Sequence, residues 1–344
     1  MRTNWLGSVG AIGTGLFVVQ LASGPLAAQV GPPAPATGTP KAAWTPARTP
    51  WGDPDLQGYF TNKDEQGIPM ERAPEFAGRT TVSDEEFAAR EEQLRRQLLT
   101  DSAEFDLANA DTSNAGAVGS ATSPPPHWLD RGKPSRRTSR IVDPADGRIP
   151  PMTAEGKSRA AARRPPNRFD SRAPASYQDG GLYDRCITRG LPGSMMPAIY
   201  GNSYQIVQGP GYVAIRYEMI HEIRVIPLNN RQHVSPAIRT YMGDARGHWE
   251  GTTLVVETTN FKPETTYQGA NPDALRLIER FTPVAPNKVQ WSVTVDDPTT
   301  WTRPWTFEID LTKDQSQPVM EYACHEGNYA MLNILSGARA DEKK

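Results

Sequence analysis

The stretch LRLIERFTPVAPNKVQWSVTVDDPTTWTRPWTFEIDL, residues 275–311, decides the fold class. It divides into three runs, LRLIERFTPV, KVQWSVTVDD and WTFEIDL, separated by turn-forming Pro, Asn and Asp. Successive side chains of a strand point to opposite faces. In the last run Trp305, Phe307, Ile309 and Leu311 share one face, and Thr306, Glu308 and Asp310 the other. In the middle run Trp291, Val293 and Val295 oppose Ser292, Thr294 and Asp296. Strict alternation of this kind belongs to half-buried strands, not helices.

The pattern continues upstream. YQIVQ and YVAIRYEM flank a Gly-Pro-Gly turn, and IRVIPL, IRTYMGD and TLVVETTNF follow. Short β-rich segments recur with turn signals between them and no long helical period. This predicts an all-β domain over 183–340, a meander closed as an up-and-down, calycin-like β-barrel or folded as a sandwich. A barrel with a central cavity is the first expectation, because such barrels take small ligands in the mouth.

Other zones differ in composition. Residues 1–28 read as a signal peptide, with Arg2 in the n-region, an apolar stretch from Val9 to Ala22 and small residues at Leu26-Ala27-Ala28. Residues 29–50 are a Pro/Ala-rich linker. Residues 51–182 read as an irregular arm with one helix at 82–101, where Ser83 and Glu86 form a capping box. SRRTSR and AAARRPPNR within the arm read as solvated basic runs rather than an anion-binding face. Formal net charge is −2, so no broad basic field exists to hold nucleic acid. No later segment is apolar and long enough to span a bilayer. The expected location is periplasmic or secreted. There the two cysteines, Cys186 and Cys324, are expected to form a disulfide, since exported thiols oxidise and no C-x-x-C spacing is present.

Ionisable groups fall on apolar faces. Read as one continuous strand, YVAIRYEMIHEIRV puts His221 with Val213, Ile215, Tyr217, Met219 and Ile223. Glu257 shares a face with Val255 and Phe261, and Glu279 with Leu275, Leu277 and Phe281. A carboxylate among apolar side chains is expensive unless paired or facing a polar cavity, and desolvation there suits it to acid or base work. The opposite face carries Arg216, Glu218, Glu222 and Arg224, which form either a salt-bridge ladder or the pocket itself, depending on which face is inside. A turn near Met219–His221 would reset that register. In GDARGHWEG, Asp244 and Arg246 read as hairpin-turn builders. Trp301 and Trp305 in DPTTWTRPW read either as a packed turn or as a loop that stacks on a sugar or aromatic ligand. In YACHEGNY (322–329), His325 and Glu326 would sit beside the disulfide and near Arg189.

Five long motifs, WGDPDLQGYFTN, RCITRGLPGSMMP, MGDARGHWEGTTLVVETTNF, DDPTTWTRPW and YACHEGNY, resemble a family of uncharacterised exported bacterial proteins, over most of residues 44–340. The resemblance implies no activity. WEGTTLVVET is similar to the meander strands of lipocalin-type barrels.

These observations lead to two expectations. The first is an exported lyase or hydrolase acting on a small organic molecule, a glycoside or plant-derived aromatic. Its candidate catalytic residues are His221, Glu257, Glu279, His325 and Glu326, with Arg216, Glu218, Arg224, Trp301 and Trp305 binding substrate. It would use no cofactor or a single divalent metal, held by His221, His325 and a glutamate, although no short metal motif fixes that set. The second is a periplasmic ligand-binding β-barrel without catalytic activity.

Overall fold

The computed structural model describes residues 44–101, 129–162, 174–229, 231–265, 267–316 and 318–343. The predicted signal peptide, most of the linker, the NAGAVGSATSPPP stretch and the RRPPNR part of the second basic run lie outside them. The described residues form β1 (Gly58–Thr61), α1 (Asp84–Asp101), β2 (Ile141–Asp143), α2 (Ala154–Ala162), β3 (Ser203–Gly209), β4 (Tyr212–Tyr217), β5 (Ile223–Pro227), β6 (Asp244–Glu250), β7 (Thr253–Thr259), β8 (Arg276–Ala285), β9 (Lys288–Asp296), β10 (Trp305–Lys313) and α3 (Ala330–Asp341).

Nine strands make a nearly closed antiparallel barrel in the order β5-β4-β3-β1-β10-β9-β8-β7-β6, and β2 pairs separately with β10. Two hairpin meanders, β3–β5 and β6–β10, are joined by β1, which lies between β3 and β10. The barrel therefore takes strands from 51–182 as well as from 183–340, and the boundary expected at 183 does not divide it. Four residues of GYFT make a strand because Phe60 is buried in the core and both backbone edges find ladder partners. No ladder joins β5 to β6. There the edges meet through side chains over Gly247, where a Cβ would stand 2.7 Å from Leu228 Cδ2 and 2.8 Å from Ile226 Cγ2. A side chain at 247 would force Leu228 and Ile226 to shift.

The expected helix forms at 84–101. Glu86 accepts from the Ser83 amide (2.7 Å) and Ser83 Oγ accepts from the Glu86 amide (3.3 Å), completing the capping box. The first basic run docks the arm onto the barrel. Arg137 pairs with the buried Glu65 at 3.2 Å and donates to the Glu308 carbonyl at 2.9 Å, Arg140 donates to the Glu65 carbonyl, and Arg136 pairs with Asp84 at 2.7 Å. It is a wrapped arm, as composition suggested, but Arg137 and Arg140 are half-buried rather than solvated.

Alternation places Trp305, Phe307, Ile309 and Leu311 inside, with Trp291, Val293 and Val295 beside them and Leu277 and Phe281 on the next strand, all fully buried. Trp291 stacks on Phe281 at 6.2 Å and meets Phe307 edge-on at 5.9 Å. These large rings fill the place where a central cavity was expected. Trp301 and Trp305 belong to that packing, edge to face at 5.7 Å with 1% and 0% exposure, so they offer no face to a ligand and the packed-turn reading holds.

YVAIRYEMIHEIRV is not one strand: it turns near Met219–His221, the alternative that resets the register. Ile220 and His221 have φ of 63° and 45°, and the Tyr217 amide donates to the Glu222 carbonyl at 2.9 Å, closing a turn. A one-residue slip moves every later side chain to the other face. His221 becomes exposed, Ile223 and Val225 point out, and Arg224 points in. Arg224 meets Glu279, which lies inside with Leu277 and Phe281 as its alternation required. Their bidentate bridge spans 3.0 and 2.5 Å. The Thr258 hydroxyl accepts from Arg224 at 2.6 Å, and Trp291 Nε1 donates to Glu279 at 3.1 Å. Burial by itself would lower the Arg224 pKa, and the Glu279 carboxylate raises it above the ordinary arginine value.

Removing one partner of a buried pair leaves an uncompensated charge. Glu279→Gln is expected to lower unfolding free energy by about 3–5 kcal/mol, whereas Arg224→Met with Glu279→Leu recovers most of the loss. Urea titrations of the three proteins test this, and a near-neutral Glu279→Gln would refute the bridge as a structural requirement.

Candidate functional site

A cavity of about 570 Å³ lies where the 181–200 segment, the β4–β5 turn and the residues before β8 come together. Its walls include Tyr183, Arg189, Leu191, Met196, Met219 and Tyr267. The segment GLYDRCITRGLPGSMMPAIY is too rich in Gly and Pro for regular structure, so other groups must fix it. Leu191 and Met195 are buried in the barrel core. Asn62 Nδ2 donates to the Met195 carbonyl at 2.7 Å, and Gln66 and Asn202 side chains donate to the Ala198 carbonyl at 2.6 and 2.8 Å. The expected disulfide, Cys186–Cys324, is present with Cα atoms 5.8 Å apart and ties this segment to the C-terminal tail.

Tyr267 lines the cavity and lies against the core rings, 6.1 Å from Trp305 and 6.4 Å from Phe307. Met219 enters the wall because the turn at 219–221 projects it there and Gly201 makes room: a Cβ at Gly201 would come within 2.1 Å of Met219 Sδ. The Tyr183 hydroxyl lies 3.2 Å from those of Tyr200 and Tyr322. Burial, then these neighbouring phenols, raise the Tyr183 pKa, so the Tyr183 hydroxyl stays protonated and can donate. The Arg189 guanidinium lies 5.6 Å from the Tyr183 ring centroid. Thr188, also on the wall, donates to Glu222 at 2.7 Å, and burial raises the Glu222 pKa against that hydrogen bond.

None of the residues named from the sequence as catalytic or substrate-binding lines this cavity. His221 is exposed, its Nδ1 2.9 Å from the Tyr322 carbonyl. Glu257 faces outward on β7, 3.2 Å from Arg276 and 3.3 Å from His233. Glu279 and Arg224 are sealed in the core. His325 and Glu326 are exposed beyond the disulfide. Arg216 lies on the outer face of β4, and Glu218 accepts from the Ser203 amide at 3.1 Å. Asp244 and Arg246 are paired with each other at 2.8 Å on β6, not in the hairpin turn, and Asp244 also holds His233 at 2.8 Å. Among the described residues, no group of three or more His, Cys, Asp or Glu is placed to hold a metal ion, and the His221–His325–glutamate set is not assembled. Among the same residues, no helix is long and apolar enough to cross a membrane.

No family model and no curated protein matches the chain. Among solved structures, it is similar to a "secretary abundant heat soluble (SAHS) protein" from Ramazzottius varieornatus, at 12% identity, over 39% of this chain and 87% of that one, with a TM-score of 0.23. That score is too low to bear on fold or function, which rest here on the residues themselves.

Glu222 gives the cavity wall a pH dependence. Its folded-state pKa lies above the ordinary 4.5, so it binds its proton more tightly when folded. Its contribution to stability is full below the unfolded pKa and is lost as pH rises through the folded value. The melting temperature of Glu222→Gln, relative to wild type, should therefore climb as pH rises above about 4.5. Thermal scans from acid to neutral pH check this, and a constant difference would contradict the assignment.

Proposed function

We propose that the protein is an exported, non-catalytic binding protein that holds a small organic molecule in the cavity beside the filled barrel. The carrying observation is the cavity of about 570 Å³, within the range of roughly 300–1,000 Å³ typical of small-ligand sites. Its walls combine aromatic and thioether side chains with a few polar groups, the usual make-up of a binding site. Acid/base catalysis finds less support, because a general acid and base must reach the same bound molecule. His221, Glu257, Glu279, His325 and Glu326 are distributed among an exposed turn, the outer barrel face, the sealed core and the exposed tail. Export accords with the signal-like first 28 residues and with the disulfide.

Native mass spectrometry of protein purified from cells without denaturation is expected to show an organic adduct at one per chain. Leu182→Trp, at a half-buried wall position, should remove the adduct while the far-ultraviolet circular dichroism stays unchanged. Absence of any adduct, together with conversion of a compound from a pooled glycoside and phenolic extract, would overturn the binding role.

A further inference from the structure

Arginines near the barrel core find acceptors within the chain, even where one nitrogen, the Nε of Arg224 or Arg140, is left without a partner. Arg224 has Glu279 and Thr258, Arg137 has Glu65, and Arg72 has Thr138 and the Ala145 carbonyl. Arg189 differs. Among the described residues it makes no hydrogen bond and no ion pair, and its Nη1 is buried without a partner. Its guanidinium lies over the ring face of Tyr183, and its charge also reaches the Tyr204 and Tyr322 phenols. A guanidinium is always charged and carries five donors in a planar fork. Leaving it half-buried with no acceptor is unfavourable, so an acceptor from outside the chain would be strongly held.

The cavity's own carboxylates do not fill that role. Asp184 accepts from the Gly181 amide at 3.2 Å, and Glu264 is exposed at the rim. Glu222, a desolvated acid behind Thr188, accepts from that hydroxyl. The wall also carries the Tyr183–Tyr200 hydroxyl pair. The remaining walls are apolar, with Leu182, Leu191, Met196 and Met219 around the space. The head group that matches a planar fork is a planar acceptor with two oxygens. The body that matches the walls is apolar.

We propose that the cavity binds an organic carboxylate, its head on the Arg189 fork and its apolar body against Leu191, Met196 and Met219. This rests on the ligand-binding reading above and names the class of ligand. Aromatic acids and aliphatic acids share this chemistry, and Met196 and Met219 suit both, since thioether side chains adapt their shape and also contact rings favourably.

Isothermal titration of the full mature chain with 3-phenylpropionate and with dodecanoate, each beside its primary amide, tests the proposal. At least one acid is expected to bind, and its amide about tenfold or more weakly, because the charged oxygens are lost with little change in shape. The better acid tells whether the apolar body is aromatic or aliphatic. Arg189→Gln should bind acid and amide alike, and Arg189→Lys should keep part of the preference. Should either variant fail to fold, the acid-against-amide comparison in the wild-type protein still decides. Amides that bind as tightly as the acids would overturn the carboxylate assignment and leave the binding role standing. Binding of neither class at millimolar concentration would overturn both.

Discussion

The ion pair between Arg224 and Glu279 is the interaction on which the barrel depends. The hydrogen-bonded ladder runs through nine strands and stops between β5 and β6. Arg224 sits on β5, at one end of that path, and Glu279 on β8, near the other. Thr258 on β7 joins them, and Trp291 on β9 donates to the carboxylate. The bridge thus crosses the interior and ties together two meanders whose edges share no backbone hydrogen bonds. An apolar pair could fill the same space, and buried pairs are often no more stable than that. What the charges add is direction: each group is acceptable inside only when the other is present, so the closed arrangement is favoured over those in which either edge swings free.

The bridge exists because of the turn at Met219–His221. Without it, Arg224 would follow Arg216 to the outside. The same turn projects Met219 into the cavity wall and brings His221 against the Tyr322 carbonyl. Core closure, cavity shape and the seating of the C-terminal tail therefore share one local backbone decision. Ile220, a β-branched residue at φ 63°, is an unfavourable occupant of that conformation. Its side chain is 5% exposed, so burial offsets the strain.

Much of the fold was legible. The alternation at 275–311 foretold three strands with the correct faces, and Glu279 was read inside because its neighbours in register were apolar. The disulfide and the Ser83–Glu86 cap followed from general chemistry of exported thiols and helix ends. Other features were weakly marked: the turn near Met219–His221 was an open alternative to a continuous strand, with no residue to decide for it. β1 is four residues long inside a turn-rich stretch, and only its two partners make it a strand. The turn at 219–221 carries no Gly, Pro or Asn to mark it. The candidate site was misplaced for a related reason. Ionisable residues on apolar faces were read as facing a cavity, but the one that truly lies inside found its partner across the barrel. Arg189 stood in a motif already singled out, beside the cysteine, yet its importance lies in a missing acceptor, which no sequence displays.

A solid barrel also explains why the cavity lies beside it rather than within it. Trp291, Trp305, Phe281 and Phe307 are fully buried in the interior with the other core side chains, so the strands serve as a packed support. The binding surface is then left to the 181–200 segment, which has no regular structure and is fixed from three sides. Leu191 and Met195 anchor it in the core, Asn62, Gln66 and Asn202 hold its carbonyls, and Cys186 holds it to the tail. Such over-determination is what a binding loop requires, because a mobile loop would lose ordering entropy on each binding event. It also accounts for how Arg189 can remain without an acceptor. A freely moving arginine would turn to water or to the carboxylate of Glu264, whereas one packed on the Tyr183 ring is held back from doing so.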